Sequence, residues 1–159
     1  MDRQLLSGIL AQMRNHLERG KEIGDMKVGA LLALGHQLEA IFYYLGHELG
    51  TILKVKQLND VSQIPESLKK IIHEYNLGKV EITDSSEEII QLNLRDHSSI
   101  KDLIGKGIKT EGSFCSFEAG VLAGIVERMI NFHCFAQEVN CALQTGEDFC
   151  EFMIVFQKD

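Results

Sequence analysis

Three cysteines and one glutamate in this 159-residue chain have types and spacing that can do chemistry together: Cys115, Glu138, Cys141 and Cys150. Successive separations are 23, 3 and 9 residues. Cys115 opens an apolar helical stretch, Glu138 and Cys141 follow on an alternating strand, and Cys150 lies on the strand that returns from a turn near Gly146. A hairpin centred between Cys141 and Cys150 brings the two close, and a helix packed on that sheet can present its first residue at the same end. Three thiolates and a carboxylate converging in this way form a tetrahedral donor set suited to Zn²⁺, with Zn–S bonds of about 2.3 Å. Four protein ligands leave no open coordination position, which makes the expected ion structural.

Regular strand geometry raises an objection. Residues three apart point to opposite faces, so Glu138 and Cys141 reach one ion only if a bulge or a strand end falls at Val139-Asn140. Bland alternatives stand beside the metal reading. Free cysteine is an ordinary core residue, and Cys150 shares a strand face with Phe152, Ile154 and Phe156. A Cys141–Cys150 disulfide fits the geometry but not a reducing compartment. Cys134 reads as core, with His133 beside it as a substitute ligand. The remaining histidines, His16, His36, His47, His73 and His97, show no shared face and suggest no catalytic or metal set. Glu118 and Glu127 read as the solvated face of their helix.

The elements that must position these residues follow from periodicity. Residues 2–19 repeat apolar positions at helical spacing, closed by Gly20 and Gly24. This edge helix, within a unit of residues 1–24, is expected to pack on a second copy or on its own core. Residues 26–57 read as one long buried helix, or two parted near Gly35, inside a single domain of residues 25–159. There Gly46 and Gly50 allow another backbone to approach closely. Pro65 suits the first turn of a helix reaching Tyr75. Val80 and Ile82, then Ile90, Leu92 and Leu94, alternate as a hairpin with one wet face, while residues 96–110 resist assignment. A helix over 115–130 carries Gly120 and Gly124, and a second hairpin pairs Phe135–Leu143 with Phe149–Phe156 across a tight turn. The predicted fold is α+β, with helices packed on a four-stranded antiparallel sheet.

Composition sets the outer limits. The chain is 45% hydrophobic, which excludes general disorder, and its net charge of −7 argues against nucleic acid or an anionic membrane as partner. The apolar stretch Val28–Leu53 is interrupted by His36, Glu39, His47 and Glu48, so no membrane insertion is expected. Asp2, Arg3 and Gln4 precede the first apolar residues, so a secretory signal is not expected and the cytoplasm is. No phosphate-binding glycine loop follows a strand, and no nucleophile–base pair emerges from spacing, so the chain does not read as an enzyme.

The segment CSFEAGVLAGIVERMI…AQEVNCALQTGEDFCEFMIVF resembles the 4-vinyl reductase domain family. The matching positions are Cys115, Phe117, Gly120, Gly124, Glu138, Cys141, Gly146, Cys150 and Phe152, with looser similarity through the GHELG helix. The family is related to the ligand-sensing fold of haem nitric-oxide sensors and to transport-particle subunits. The resemblance implies a domain that is often dimeric through N-terminal helices. It also implies zinc on Cys115, Glu138, Cys141 and Cys150, beside a buried pocket for a hydrophobic ligand. The Cys141–Cys150 loop is one residue longer than the family pattern. Helix faces suggest Phe42, Tyr43, Leu45, Leu49, Phe114, Phe117 and Val121 as pocket residues. The expected function is a homodimeric module that binds or senses a hydrophobic or aromatic small molecule. The alternatives are a dimeric scaffold without ligand, and a reductase acting on a vinyl group of a tetrapyrrole-like substrate.

Overall fold

A computed structural model describes residues 37–157. The edge helix read over residues 2–19, the Gly35 break, His16 and His36 lie outside the described residues. In chain order the elements are α1 (Gln37–Ile52), α2 (Ile64–Glu74), β1 (Lys79–Ser85) and β2 (Ile89–Arg95). They are followed by α3 (Ser116–Ile130), β3 (Cys134–Asn140), the one-turn α4 (Ala142–Thr145) and β4 (Phe149–Phe156). The four strands form one antiparallel sheet in the order β1-β2-β4-β3. The predicted α+β class and four-stranded sheet are what the structure has.

Alternation decides which side of the sheet is covered. Ile90, Leu92 and Leu94 of β2 point to the same face as Cys150, Phe152, Ile154 and Phe156 of β4, and all are buried. α3 lies on that face and is buried through nearly its whole length, from Phe117 to Val126. α1 then packs across α3, so α3 is the central element of the fold and needs apolar residues on every side.

The crossing of α1 and α3 depends on the two glycine pairs. A methyl group on Gly46 or Gly50 would strike the carbonyls of Phe117 and Val121, and one on Gly120 or Gly124 would strike those of Tyr43 and His47. Each pair therefore admits the other helix's backbone, as the GHELG spacing suggests. On the same side of α1, the Tyr43 hydroxyl accepts the Ala136 N–H of edge strand β3 at 3.2 Å, which occupies a donor that an edge strand would leave open.

Three expectations differ in detail. α1 ends at Ile52 and not near Gln57, and the N–H of Lys54 is taken by the Tyr75 hydroxyl at 3.1 Å. β3 stops at Asn140 instead of running to Leu143. The tight turn is replaced by α4, because the Cys141 carbonyl accepts from the N–H groups of Gln144 and Thr145 and starts a helical turn. That turn closes on Gly146, whose φ of 82° suits glycine. Residues 97–107 form successive turns that begin with the N–H groups of Ile100 and Lys101 on the His97 carbonyl.

Gly→Ala on an exposed helix face gains about 1 kcal/mol in helix propensity. Gly120→Ala is expected to do the reverse, lowering unfolding stability by roughly 1–3 kcal/mol through overpacking against α1. Urea unfolding midpoints of the two proteins check the sign.

Candidate metal centre

Cys115 is the residue before α3, Glu138 sits near the end of β3, Cys141 precedes α4, and Cys150 is the second residue of β4. Their placement answers the objection from strand period. The β3–β4 register shifts between Glu138 and Asn140, and this irregularity at Val139 turns Glu138 and Cys141 to the same side. The N-terminus of α3 meets that end of the sheet. One donor atom from each of the four residues then lies within 4.8 Å of every other, and all four residues are buried.

The sulfur triangle is nearly regular. Cys115 Sγ is 3.6 Å from Cys150 Sγ and 4.0 Å from Cys141 Sγ, and Cys141 to Cys150 is also 4.0 Å. A disulfide would require about 2.05 Å, so all are free thiols. The edge of a tetrahedron with bonds of about 2.3 Å is about 3.8 Å, which these separations bracket.

Glu138 is oriented as a metal-ligating carboxylate needs to be. Its Oε2 accepts from the Ser113 hydroxyl at 2.8 Å and from the backbone N–H groups of Phe114 and Cys115 at 2.8 and 2.9 Å. These bonds use donors at the start of α3, where Cys115 offers no side-chain cap of its own. The second oxygen, Oε1, is buried with no partner among the described residues. An unpartnered carboxylate oxygen costs free energy unless something positive meets it, so the donor set fits a cation in chemistry as well as spacing.

Charge in the cluster is shared. Burial, together with hydrogen bonds to the other two thiols, pushes Cys115 far up. Hydrogen bonds from Cys115 and Cys150 hold Cys141 well below the ordinary thiol value. At Cys150 the contact with Cys115 lowers the value, but the bond to Cys141 and burial outweigh it and the net shift is upward. Burial and then the Cys141 charge raise Glu138, against the bonds from Cys115 and Phe114. Without a cation the trio's negative charge therefore settles first on Cys141.

Other residues fall outside the cluster. Cys134 is 2% exposed and packs in the core as read from the sequence, its thiol pushed up to about 12 by burial and by Glu127. His133 is not a substitute ligand: it is largely exposed and faces Glu127 Oε2 at 3.2 Å. His47 reaches the same oxygen at 3.2 Å, so these two histidines share a partner. Glu118 is not on a solvated face. It is 5% exposed and takes hydrogen bonds from Ser98 and Ser99, and His97, also fully buried, lies beside it. A single chain's helical period could not separate Glu118 from a surface carboxylate, because its partners come from a segment with no periodic signal.

The residues suggested for a ligand pocket are core. Phe42, Leu45, Leu49, Phe114, Phe117 and Val121 are buried and Tyr43 partly so. Phe117 and Val121 also line a cavity of about 20 Å³ with Ile72, Leu77, Leu94 and Leu122, to which Asn76, Ser98 and Glu118 add polar groups. That volume holds about one water.

Comparison with known proteins bears on this geometry. No family model matches the chain. The uncharacterized protein MJ1642 of Methanocaldococcus jannaschii is 32% identical over 123 residues, 76% of this chain, and the chain spans 66% of that relative's length. The crystal structure of a vinyl-4-reductase family protein from the same organism superposes with a TM-score of 0.57 at 23% identity, covering 96% of this chain and 94% of that one. The chain has the vinyl-4-reductase family fold. The phenol-responsive sensory domain of the transcription activator PoxR, solved with phenol, shares the same architecture. Its TM-score is 0.63 at 12% identity, covering 84% of this chain and 72% of that one. The vinyl-4-reductase resemblance read from the cysteine, glutamate and glycine positions is thus matched by the fold.

Because the Cys115 and Cys150 thiols are shifted upward, binding of a thiophilic dication such as Zn²⁺ to the cluster is expected to release protons and weaken as pH falls. Calorimetric titrations with zinc in buffers of different ionisation enthalpy check the proton count.

Proposed function

We propose that the chain is a small-molecule-binding or sensing domain with a structural zinc ion held by Cys115, Glu138, Cys141 and Cys150. The observation that carries the zinc reading is the convergence of three thiols and an unpartnered carboxylate oxygen in one buried site. Its role is to tie the start of α3 to the β3–β4 hairpin. In such sites metal-binding energy is folding energy.

The ligand reading draws support from the fold shared with a phenol-responsive sensory domain. It also draws on the cavity between α2, β2 and α3, which is apolar with a few polar groups at its rim, the character of a ligand site. The proposed ligand is a small hydrophobic or aromatic molecule that enlarges this cavity by displacing Phe117 and Val121, with Phe42, Tyr43, Leu45, Leu49 and Phe114 forming the surround. Association of two copies through residues 1–24 belongs to the same proposal. Catalysis does not: no nicotinamide or flavin motif accompanies the site. The small volume of the cavity favours a second reading, a dimeric scaffold that uses the fold without a ligand.

Cys141→Ser is expected to lose the metal and to lower the melting temperature, while Cys134→Ser keeps the metal. Elemental analysis and melting of both variants check this, and unchanged metal in Cys141→Ser contradicts the assignment. A panel of phenols and longer hydrocarbons should raise the melting temperature if the binding reading holds. No shift across the panel supports the scaffold instead.

A further inference from the structure

Beside the proposed metal centre lies a buried group without a role. His97 follows β2 closely, is fully buried, and neither ring nitrogen has a hydrogen-bond partner among the described residues. Its Nδ1 stands 3.2 Å from Glu118 Oε1, at ion-pair distance but off the hydrogen-bonding direction. A ring nitrogen, Cys115 Sγ and a Glu118 oxygen lie within 4.8 Å of one another. Glu118 is itself fixed, by the Ser99 hydroxyl at 2.8 Å, the Ser99 N–H at 3.1 Å and the Ser98 hydroxyl at 3.3 Å. An imidazole held here with no hydrogen bond is costly, so the site calls for a partner that ring rotation can reach.

The three sulfurs show which partner is missing. The Ala142 N–H donates to Cys150 Sγ at 3.3 Å, and the Leu143 N–H donates to Cys141. Cys115 Sγ contacts its two fellow sulfurs and the Glu138 carboxylate, to which a thiol donates, and its own N–H is used by Glu138. Three thiolates and a carboxylate around a dication carry a net negative charge in a buried site, and N–H donors to sulfur are what stabilise such charge. Among the described residues, one sulfur of three receives no N–H donor, and one buried ring has no hydrogen-bond acceptor.

We propose that His97 is the positioning residue of this centre, donating a ring N–H to the Cys115 thiolate, with Glu118 orienting the ring from the other side. The inference rests on the metal reading of the preceding subsection. It makes the 96–109 segment part of the centre, anchored through His97 to Cys115 and through Ser98 and Ser99 to α3.

The test uses the whole chain, labelled with ¹⁵N in histidine and loaded with ¹¹³Cd²⁺ as a spectroscopic stand-in. One cadmium per chain is expected, together with one histidine ring N–H whose proton couples weakly to ¹¹³Cd through the sulfur. That signal should be missing from His97→Gln. In competition with a chelator, His97→Phe should bind metal about 10–100-fold more weakly, and His97→Gln, which keeps an N–H donor, should recover most of the loss. A large one-bond ¹⁵N–¹¹³Cd coupling, or two cadmium ions per chain sharing Cys115, would make His97 a ligand and overturn the proposal. So would a wild-type spectrum without the through-sulfur coupling, whatever the variants do. A chain that takes up no cadmium or zinc removes the metal reading itself, which sets that failure apart from the others.

Discussion

Three sulfur atoms 3.6–4.0 Å apart and a carboxylate, all shut away from water, cannot carry their charges together without a counter-ion. This constraint organises the lower half of the fold. The donors come from the start of α3, the end of β3, the residue before α4 and the start of β4, so four elements that are separate in sequence must end at one point. Protons can neutralise the cluster in part, but Glu138 Oε1 has no hydrogen-bond partner among the described residues. A soft dication satisfies sulfur and oxygen at once.

At the other side of α3 the constraint is steric. Gly46, Gly50, Gly120 and Gly124 let α1 and α3 touch backbone to backbone, which sets α3 firmly between α1 and the sheet. The start of α3 is therefore held by the Glu138 carboxylate and the thiol cluster, and its body by the glycine contact. What separates the two regions is the apolar space around Phe117 and Val121, next to Glu118.

The sequence was informative where a residue's role follows from local pattern. Alternation in Ile90–Leu94 and Cys150–Phe156 marks the sheet, the glycine spacing marks the helix crossing, and the cysteine spacing across one hairpin points to the four residues that the structure brings together. The break needed at Val139-Asn140 could be stated in advance because strand period forbids the alternative. His97 and Glu118 were not legible. α3 is buried on every side, so its one buried carboxylate has no contrasting polar face, and the Ser98-Ser99 pair that holds it lies in turns without any period. The end of α1 is not legible for a similar reason, since a distant tyrosine hydroxyl takes the N–H of Lys54, two residues beyond it.

The central claim is that one zinc ion joins Cys115, Glu138, Cys141 and Cys150. X-ray absorption at the zinc edge, on protein purified without added metal or a histidine tag, tests it most directly. The expected result is about one zinc per chain with three sulfurs near ~2.3 Å and one oxygen near ~2.0–2.2 Å. Protein without metal, or zinc in a shell of nitrogen and oxygen with fewer than three sulfurs, would contradict it.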